Sequence, residues 1–225
     1  AEKVENLEDW KSVKTLDPEK GNFGRQLEAL RHIVNELSGE TFIIDTVFNC
    51  FAYAERITGK RTMELLRENR DAFHEVMKRV AMTLCDWAEA TIQQGCAGIY
   101  FALQGASADV MTEEEYRYEF LPYDHKVLSY VENAARFNVV HLHGDNLYWD
   151  IWQDLPFHAL CWSSNLTPPT IAEARKSFCG CIIGGVNERD IGIYSRERVK
   201  EEIRQAVIDN VDHGLIVAPG CAVPT

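Results

Sequence analysis

Short apolar segments alternate with helical segments along almost the whole chain. Apolar runs of strand length occupy residues 41–48, 97–103, 137–143, 159–162, 181–186 and 215–218. The segments between them place apolar residues at three- and four-residue steps, as in residues 62–94. Strands that are apolar on both faces and separated by helices are typical of a parallel sheet covered by helices. The sequence therefore predicts an α/β fold whose parallel sheet is either open or closed into a barrel.

Length and charge restrict the class of protein. The chain has 225 residues without a low-complexity tract or linker, so we expect one domain, residues 1–225. A net charge of -12 argues against nucleic acid or an anionic membrane as the partner. No apolar run approaches the ~20 residues of a membrane helix, and no secretory signal opens the chain. Seven cysteines, an odd number without paired spacing, favour a reducing compartment. We expect a cytoplasmic protein.

Two strand ends carry residues that bind metal ions. His141 and His143 close one apolar run, and Cys221 follows Pro219 and Gly220 at the end of a later run. Residues two apart in a strand face the same side, so the two imidazoles are expected to share one space. Two imidazoles and a thiolate form a ligand set for zinc that leaves a fourth position open. A lone histidine at such a strand end would be interpreted as a hydrogen-bonded polar side chain, and a lone cysteine as a small buried residue.

Other residues follow strands where parallel barrels carry their chemistry. Gln104 follows residues 97–103, and Glu188 and Arg189 follow residues 181–186. We expect Gln104 and Arg189 to bind substrate and Glu188 to be catalytic, with a solvated loop as the alternative. Trp162 is expected to bind substrate through its flat ring, and core packing is the alternative.

The order of these motifs resembles a known family. The motifs are the His-x-His-Gly strand end, Trp162, Ala172-Glu173-Ala174-Arg175, Gly184-Gly185-Val186-Asn187 and Gly220-Cys221-Ala222-Val223-Pro224. Together they resemble the uroporphyrinogen decarboxylase superfamily of TIM-barrel enzymes. That superfamily includes zinc-dependent methyltransferases that move methyl groups from methylcobalamin to thiols such as coenzyme M. The resemblance covers nearly the whole chain.

The resemblance implies a (β/α)8 TIM barrel of which this chain holds about six of the eight βα units. The first recognised strand would be the family's third, so we expect truncation at the N-terminus and after the last strand. The absent strands would carry the arginine-rich segment and the aspartate that bind substrate in the decarboxylase. Tyr53 matches a tyrosine that follows the third strand in family members, which implies a catalytic role.

The closing motif distinguishes the branches of the superfamily. The decarboxylase has a Gly-His-Gly type motif where this chain has Gly220-Cys221, and the zinc methyltransferases have Gly-Cys. Those methyltransferases carry His-x-Cys-Gly where this chain has His-x-His-Gly, so one thiolate is replaced by an imidazole. The resemblance implies a zinc-dependent methyltransferase that uses methylcobalamin or another corrinoid as methyl donor and a small thiol as acceptor. A corrinoid protein would be its partner. A homo-oligomeric state is a further expectation.

Two alternatives belong to other functional classes. The first is decarboxylation of uroporphyrinogen, which requires several cationic groups for the substrate carboxylates. The second is a non-catalytic barrel fragment, because an incomplete barrel leaves strand edges uncovered.

Overall fold

A sheet of six parallel strands organises the chain, and its strands lie in sequence order. The computed structural model describes residues 4–37, 40–211 and 214–224. The strands are β1 (Ile44–Phe48), β2 (Gly98–Leu103), β3 (Val139–Leu142), β4 (Ala159–Cys161), β5 (Cys181–Val186) and β6 (Leu215–Pro219). Each strand pairs in parallel with the next along the chain, as predicted. The carboxyl ends of all six strands therefore meet at one edge of the sheet.

Helices fill the connections between strands. In the described ranges they are α1 (Leu7–Ser12), α2 (Gly21–Glu36), α3 (Cys50–Thr58), α4 (Thr62–Glu68), α5 (Arg70–Gln93), α6 (Glu113–Glu119), α7 (Leu121–Val131), α8 (Ile171–Ala174) and α9 (Arg196–Asn210), with a 3-10 helix, Trp149–Asp154, between β3 and β4. None of these helices combines the length and apolar character needed to cross a membrane.

Polar caps fix where several of these helices begin. The side chain of Asn49, directly after β1, accepts a hydrogen bond from the backbone N–H of Ala52 at the start of α3. Thr112 and Glu115 form a reciprocal capping box at the start of α6. Such caps satisfy backbone N–H groups that have no partner within the helix. Asn49 also holds the start of α3 at the carboxyl end of the sheet, because its side chain donates to the carbonyl of Gln104 after β2.

Four segments differ from the sequence prediction. The helix expected over residues 62–94 is divided at Asn69, whose extended backbone (φ -156°) and side chain cap α5. The apolar spacing predicts a helix over residues 147–155, where the structure has a 3-10 helix, and a helix over residues 170–178, where α8 has only four residues. Two helices, α1 and α2, precede β1, where no element was predicted.

The sheet packs differently on its two faces. Most buried apolar side chains lie between the sheet and the helices, including Phe101 on β2 and Leu160 on β4. The opposite face carries a smaller cluster formed by Val139, Ala159 and Cys161, with Tyr100 packed against it. Alternate residues of one strand thus supply the two faces, as the pleat requires. The smaller cluster lies beneath the strand ends that carry the histidines.

Both outer strands of the sheet have a free edge among the described residues. β1 pairs only with β2, and β6 pairs only with β5. On β6, Ile216 and Val217 are 45% and 40% exposed, and on the neighbouring α9 Val207 and Ile208 are also exposed. A parallel sheet normally has both faces and edges covered. The described part of the chain therefore forms an open sheet rather than a closed barrel.

Candidate metal centre

His141, His143 and Cys221 converge at the carboxyl edge of the sheet. His141 lies on β3, and His143 projects to the same side two residues later, with the ring centroids 5.8 Å apart. Cys221 follows β6, and its Sγ lies 3.6 Å from His143 Nδ1. One ligand atom from each of the three residues lies within 4.8 Å of the others. The structure thus brings together the three side chains that the sequence proposed as metal ligands.

The chemistry of this cluster fits a zinc ion. His141 is only 4% exposed, and its Nδ1 has no hydrogen-bond partner in the described structure. A buried ring nitrogen without a partner is unfavourable unless a proton donor or a metal ion satisfies it. Hydrogen bonding to the His141 imidazole lowers the pKa of the Cys221 thiol, which favours the thiolate that zinc binds. The two imidazoles and this sulfur match the donor types of catalytic zinc sites.

Gly220 fixes the approach of Cys221 to the centre. Its backbone N–H donates to the carbonyl of Val186 at 3.2 Å. A Cβ atom at Gly220 would lie 2.5 Å from the carbonyl oxygen of Trp162 and 2.6 Å from Cα of Ser163. Because both neighbours are backbone atoms, they cannot turn aside as a flexible side chain would. The glycine allows the end of β6 to pack directly against the end of β4.

Two residues beneath the centre were not identified from the sequence. The ring of Tyr100 stacks on His141, with centroids 5.4 Å apart and planes 26° apart. The Tyr100 hydroxyl donates to Cys161 Sγ at 3.3 Å, and Cys161 Sγ donates to the carbonyl of Gly220 at 3.4 Å. Burial raises the pKa of Tyr100, and it raises the pKa of Cys161 to about 12, so both groups keep their protons. The only sequence signal is a hydroxyl and a thiol within otherwise apolar strands.

A cavity of about 920 Å³ opens beside the centre. His143 and Cys221 line it together with three further predicted site residues, Gln104, Glu188 and Arg189. Glu188 is 3% exposed, whereas the side chain of Arg189 is more than half exposed and forms an ion pair with Asp145. Four of the strand ends thus contribute predicted residues to one site.

Tyr53 and Trp162 are placed away from this cavity. Tyr53 lies on α3 and lines a separate cavity with residues of the N-terminal segment, including Val13 and Phe23. Trp162 is fully buried, and its indole N–H donates to the carbonyl of Pro169 at 2.8 Å. The Trp162 ring packs in the core against Trp149, as in the alternative considered for it. The substrate-binding role of Trp162 and the catalytic role of Tyr53 stay predictions.

A buried polar network holds the ends of β1 and β2 together. The Asn49 side chain donates to the carbonyl of Gln104 at 3.0 Å and accepts from its backbone N–H at 3.2 Å. Asp124 Oδ2 accepts hydrogen bonds from the Tyr116 hydroxyl at 2.5 Å and from Asn49 at 3.2 Å. Burial raises the pKa of Asp124 to about 6, although these hydrogen bonds act in the opposite direction. The network sets the backbone of Gln104 at the edge of the cavity.

Similar proteins include a methyltransferase known from its sequence and a methyltransferase of known structure. The Methylcobamide:CoM methyltransferase MtbA of Methanosarcina mazei is 24% identical over 142 residues, which cover 63% of this chain and 42% of that protein. A solved methyltransferase from Methanosarcina mazei superposes with a TM-score of 0.80 and 18% identity, covering 95% of this chain and 63% of that one. The chain therefore spans less than two thirds of the length of either relative. The structural likeness confirms the predicted fold, a partial (β/α) barrel with six strands.

The family assignment rests on a match over the whole sequence. The family described as Uroporphyrinogen decarboxylase (URO-D) matches residues 1–225. Its extent agrees with the order of motifs along the strand ends and with the parallel sheet that carries them. The chain belongs to the uroporphyrinogen decarboxylase family.

Proposed function

We propose that this chain forms the catalytic face of a zinc-dependent methyltransferase that moves a methyl group from a corrinoid to a thiol. The observation that carries the proposal is the convergence of His141, His143 and Cys221 within 4.8 Å, beside a large cavity. Similarity to a protein named as a methylcobamide:CoM methyltransferase supports the reaction type. Methylcobalamin would be the donor, supplied free or by a separate corrinoid protein.

The proposed ligands would hold zinc through two imidazoles and one thiolate. When bound, zinc would accept the sulfur of an incoming thiol and lower its pKa, so that the thiolate predominates near neutral pH. Relative to a set with two thiolates, this set carries one negative charge less. His143 and Cys221 both line the cavity, so a ligand in that space can reach the open side of the centre.

The transfer itself is a nucleophilic displacement at carbon. The thiol loses its proton, and an electron pair of its sulfur forms the new bond to the methyl carbon. A bound corrinoid would supply the methyl group by heterolysis of its cobalt–carbon bond, with the electron pair retained on cobalt (formally Co(III) to Co(I)), and the thiol proton would pass to solvent. Gln104 and Arg189 line the cavity and would position the two substrates for this displacement.

Decarboxylation of uroporphyrinogen is the second candidate, because the matched family bears that enzyme's name. The cavity lining carries Arg56, Lys60 and Arg189, but Arg189 is paired with Asp145 and three further carboxylates, of Glu55, Asp109 and Glu188, share the lining. This mixed charge offers a polycarboxylate few unpaired cations. The described residues therefore favour methyl transfer.

Two further parts of the proposal concern context. We infer a cytoplasmic location, because all seven cysteines are free, as expected in a reducing compartment. We also infer that residues 1–225 act as one barrel domain whose free edges at β1 and β6 pair with further βα units or another subunit. The solved methyltransferase, of which this chain covers 63%, supports that inference.

Parallel assays of the purified protein test the reaction. Methylcobalamin demethylation is followed by absorbance with a thiol and zinc present, while carboxylate loss from uroporphyrinogen is measured in a separate reaction. We expect thiol-dependent demethylation that disappears on chelation and in Cys221→Ser, and that persists in Cys179→Ser, because Cys179 is exposed and outside the cluster. Metal-independent decarboxylation without thiol methylation would instead support the second candidate.

A further inference from the structure

The Glu188 carboxylate has one oxygen bound and one oxygen free within a buried position. Its Oε1 accepts a hydrogen bond from the Ser163 hydroxyl at 2.6 Å. Its Oε2 is buried and has no hydrogen-bond partner among the residues that the structure describes. A buried carboxylate oxygen left without a partner is costly, so such atoms call for a specific explanation.

The surrounding backbone holds Glu188 in place. Asn187 Oδ1 accepts hydrogen bonds from the backbone N–H groups of Arg189 at 2.9 Å and Asp190 at 3.2 Å. The backbone N–H of Asn187 donates to the buried Glu202 carboxylate at 3.0 Å. Glu188 therefore lies on a turn that is fixed on both sides, and its carboxylate is pre-positioned.

Glu188 is connected to the metal centre through packed atoms. Ser163, which binds Oε1, lies so close to Gly220 that a Cβ atom there would be 2.6 Å from Ser163 Cα. Gly220 directly precedes Cys221, and Glu188 and Cys221 line the same cavity. A molecule in that cavity with its sulfur at the metal centre would lie beside the Glu188 side chain, and a small rotation of the carboxylate would bring Oε2 to it.

The protein does not neutralise this carboxylate within the described residues. The neighbouring guanidinium of Arg189 pairs with Asp145 rather than with Glu188. None of the ion pairs in the described ranges includes Glu188. A bound ligand is therefore the group that can supply a partner for Oε2.

We propose that Glu188 determines substrate specificity by accepting a hydrogen bond from a cationic amino group on the thiol substrate. This inference rests on the proposed function, because it requires the thiol to occupy the cavity beside the metal centre. An ammonium group satisfies both the charge and the free oxygen of Glu188 in one charge-assisted hydrogen bond. A hydroxyl satisfies the oxygen but not the charge, and an anionic group is repelled.

Cobalt(II) in place of zinc provides a binding readout that does not depend on turnover. The purified protein is loaded with Co²⁺, and its absorption spectrum is titrated with cysteamine, 2-mercaptoethanol and 3-mercaptopropionate. These thiols differ mainly in the group distant from sulfur. We expect cysteamine to bind about tenfold more tightly than 3-mercaptopropionate, with 2-mercaptoethanol between them.

Glu188→Gln retains the size and one acceptor oxygen but removes the charge. We expect this variant to reduce the cysteamine preference to within about twofold while 2-mercaptoethanol binds nearly as before. The matched control is Glu55→Gln, which removes another carboxylate from the cavity lining and should leave the preference unchanged.

Several outcomes would overturn the proposal. Equal binding of the three thiols to the wild-type protein would do so even if Glu188→Gln failed to fold. A preference that persists in Glu188→Gln, or that is lost equally in Glu55→Gln, would assign the effect to the general charge of the cavity. A wild-type protein that develops no cobalt–thiolate absorption would refute the metal centre itself, and the inference about Glu188 with it.

Discussion

The ring of Tyr100 stacks beneath His141, with their centroids 5.4 Å apart. The same tyrosine reaches the strand end before Cys221, because its hydroxyl donates to Cys161 and Cys161 donates to the Gly220 carbonyl. Tyr100 therefore contacts one proposed ligand, His141, directly. It reaches the strand end of a second, Cys221, through the thiol of Cys161. Hydrogen bonds of this kind orient metal ligands, and their loss lowers metal affinity.

Tyr100→Phe should weaken zinc binding without unfolding the protein. The substitution preserves the stacked ring but removes the hydroxyl that orders Cys161. We expect roughly tenfold lower zinc affinity, with a loss of about 1 kcal/mol in the free energy of unfolding. Competition with a chromophoric chelator measures the affinity, and Tyr118→Phe, at a 68% exposed tyrosine, is the control. Unchanged affinity in Tyr100→Phe would show that the Cys161 contact does not position the centre.

Gly220→Ala should damage both stability and metal binding. The added methyl group would meet backbone atoms of Trp162 and Ser163 at 2.5 to 2.6 Å, so the end of β6 must move away from β4. We expect a loss of about 1–3 kcal/mol in the free energy of unfolding and weaker zinc binding, because Cys221 moves with it. Gly192→Ala is the matched control, since its methyl group would meet nothing within 4 Å. Equal urea midpoints for the two variants would contradict the close packing at Gly220.

Ionisation of Asp124 should lower the free energy of unfolding as the pH rises from about 4 to 6. Burial raises the pKa of Asp124 from 3.8 to about 6, so the folded state holds this proton more tightly than the unfolded state. A raised carboxyl pKa therefore contributes stability below the ordinary pKa, and that contribution is lost as pH passes through the folded value. The shift corresponds to about 3 kcal/mol. Other carboxylates titrate in the same range, so the effect must be isolated by a variant.

Asp124→Asn removes this titration while keeping the size of the side chain. Urea unfolding of the wild type and of Asp124→Asn is measured at pH 4.5 and at pH 7. The stability of the variant relative to the wild type should increase with pH, because only the wild type incurs the cost of ionising Asp124. A difference that stays constant between the two pH values would mean that Asp124 titrates near its ordinary pKa.

Much of the fold could be predicted from local sequence patterns. The spacing of apolar residues predicts the alternation of strands and helices, and that alternation predicts the parallel sheet. His141 and His143 share a face because strand residues alternate, and Cys221 joins them because parallel strands end at one edge. These inferences require no knowledge of side-chain packing.

The remaining parts of the site depend on contacts between side chains of different elements, which the spacing of residues along the sequence does not predict. Tyr100 and Cys161 approach each other only through the lateral arrangement of separate strands. Tyr53 and Arg56 lie three residues apart on α3, yet they line different cavities, and residues of the N-terminal segment such as Val13 and Phe23 share the one at Tyr53. Trp162 packs in the apolar core, where the carbonyl of Pro169 satisfies its indole N–H. A resemblance in sequence could not distinguish these environments.

The most direct test of the metal centre is zinc content of the purified protein, measured with Cys221→Ser and Cys179→Ser side by side. We expect about one zinc ion per chain in the wild type and in Cys179→Ser. We expect zinc affinity to fall on the order of a hundredfold or more in Cys221→Ser, because a thiolate is replaced by a weaker neutral donor. Zinc bound by Cys221→Ser with wild-type affinity, or no zinc bound by the wild type, would show that these three residues do not form a zinc site.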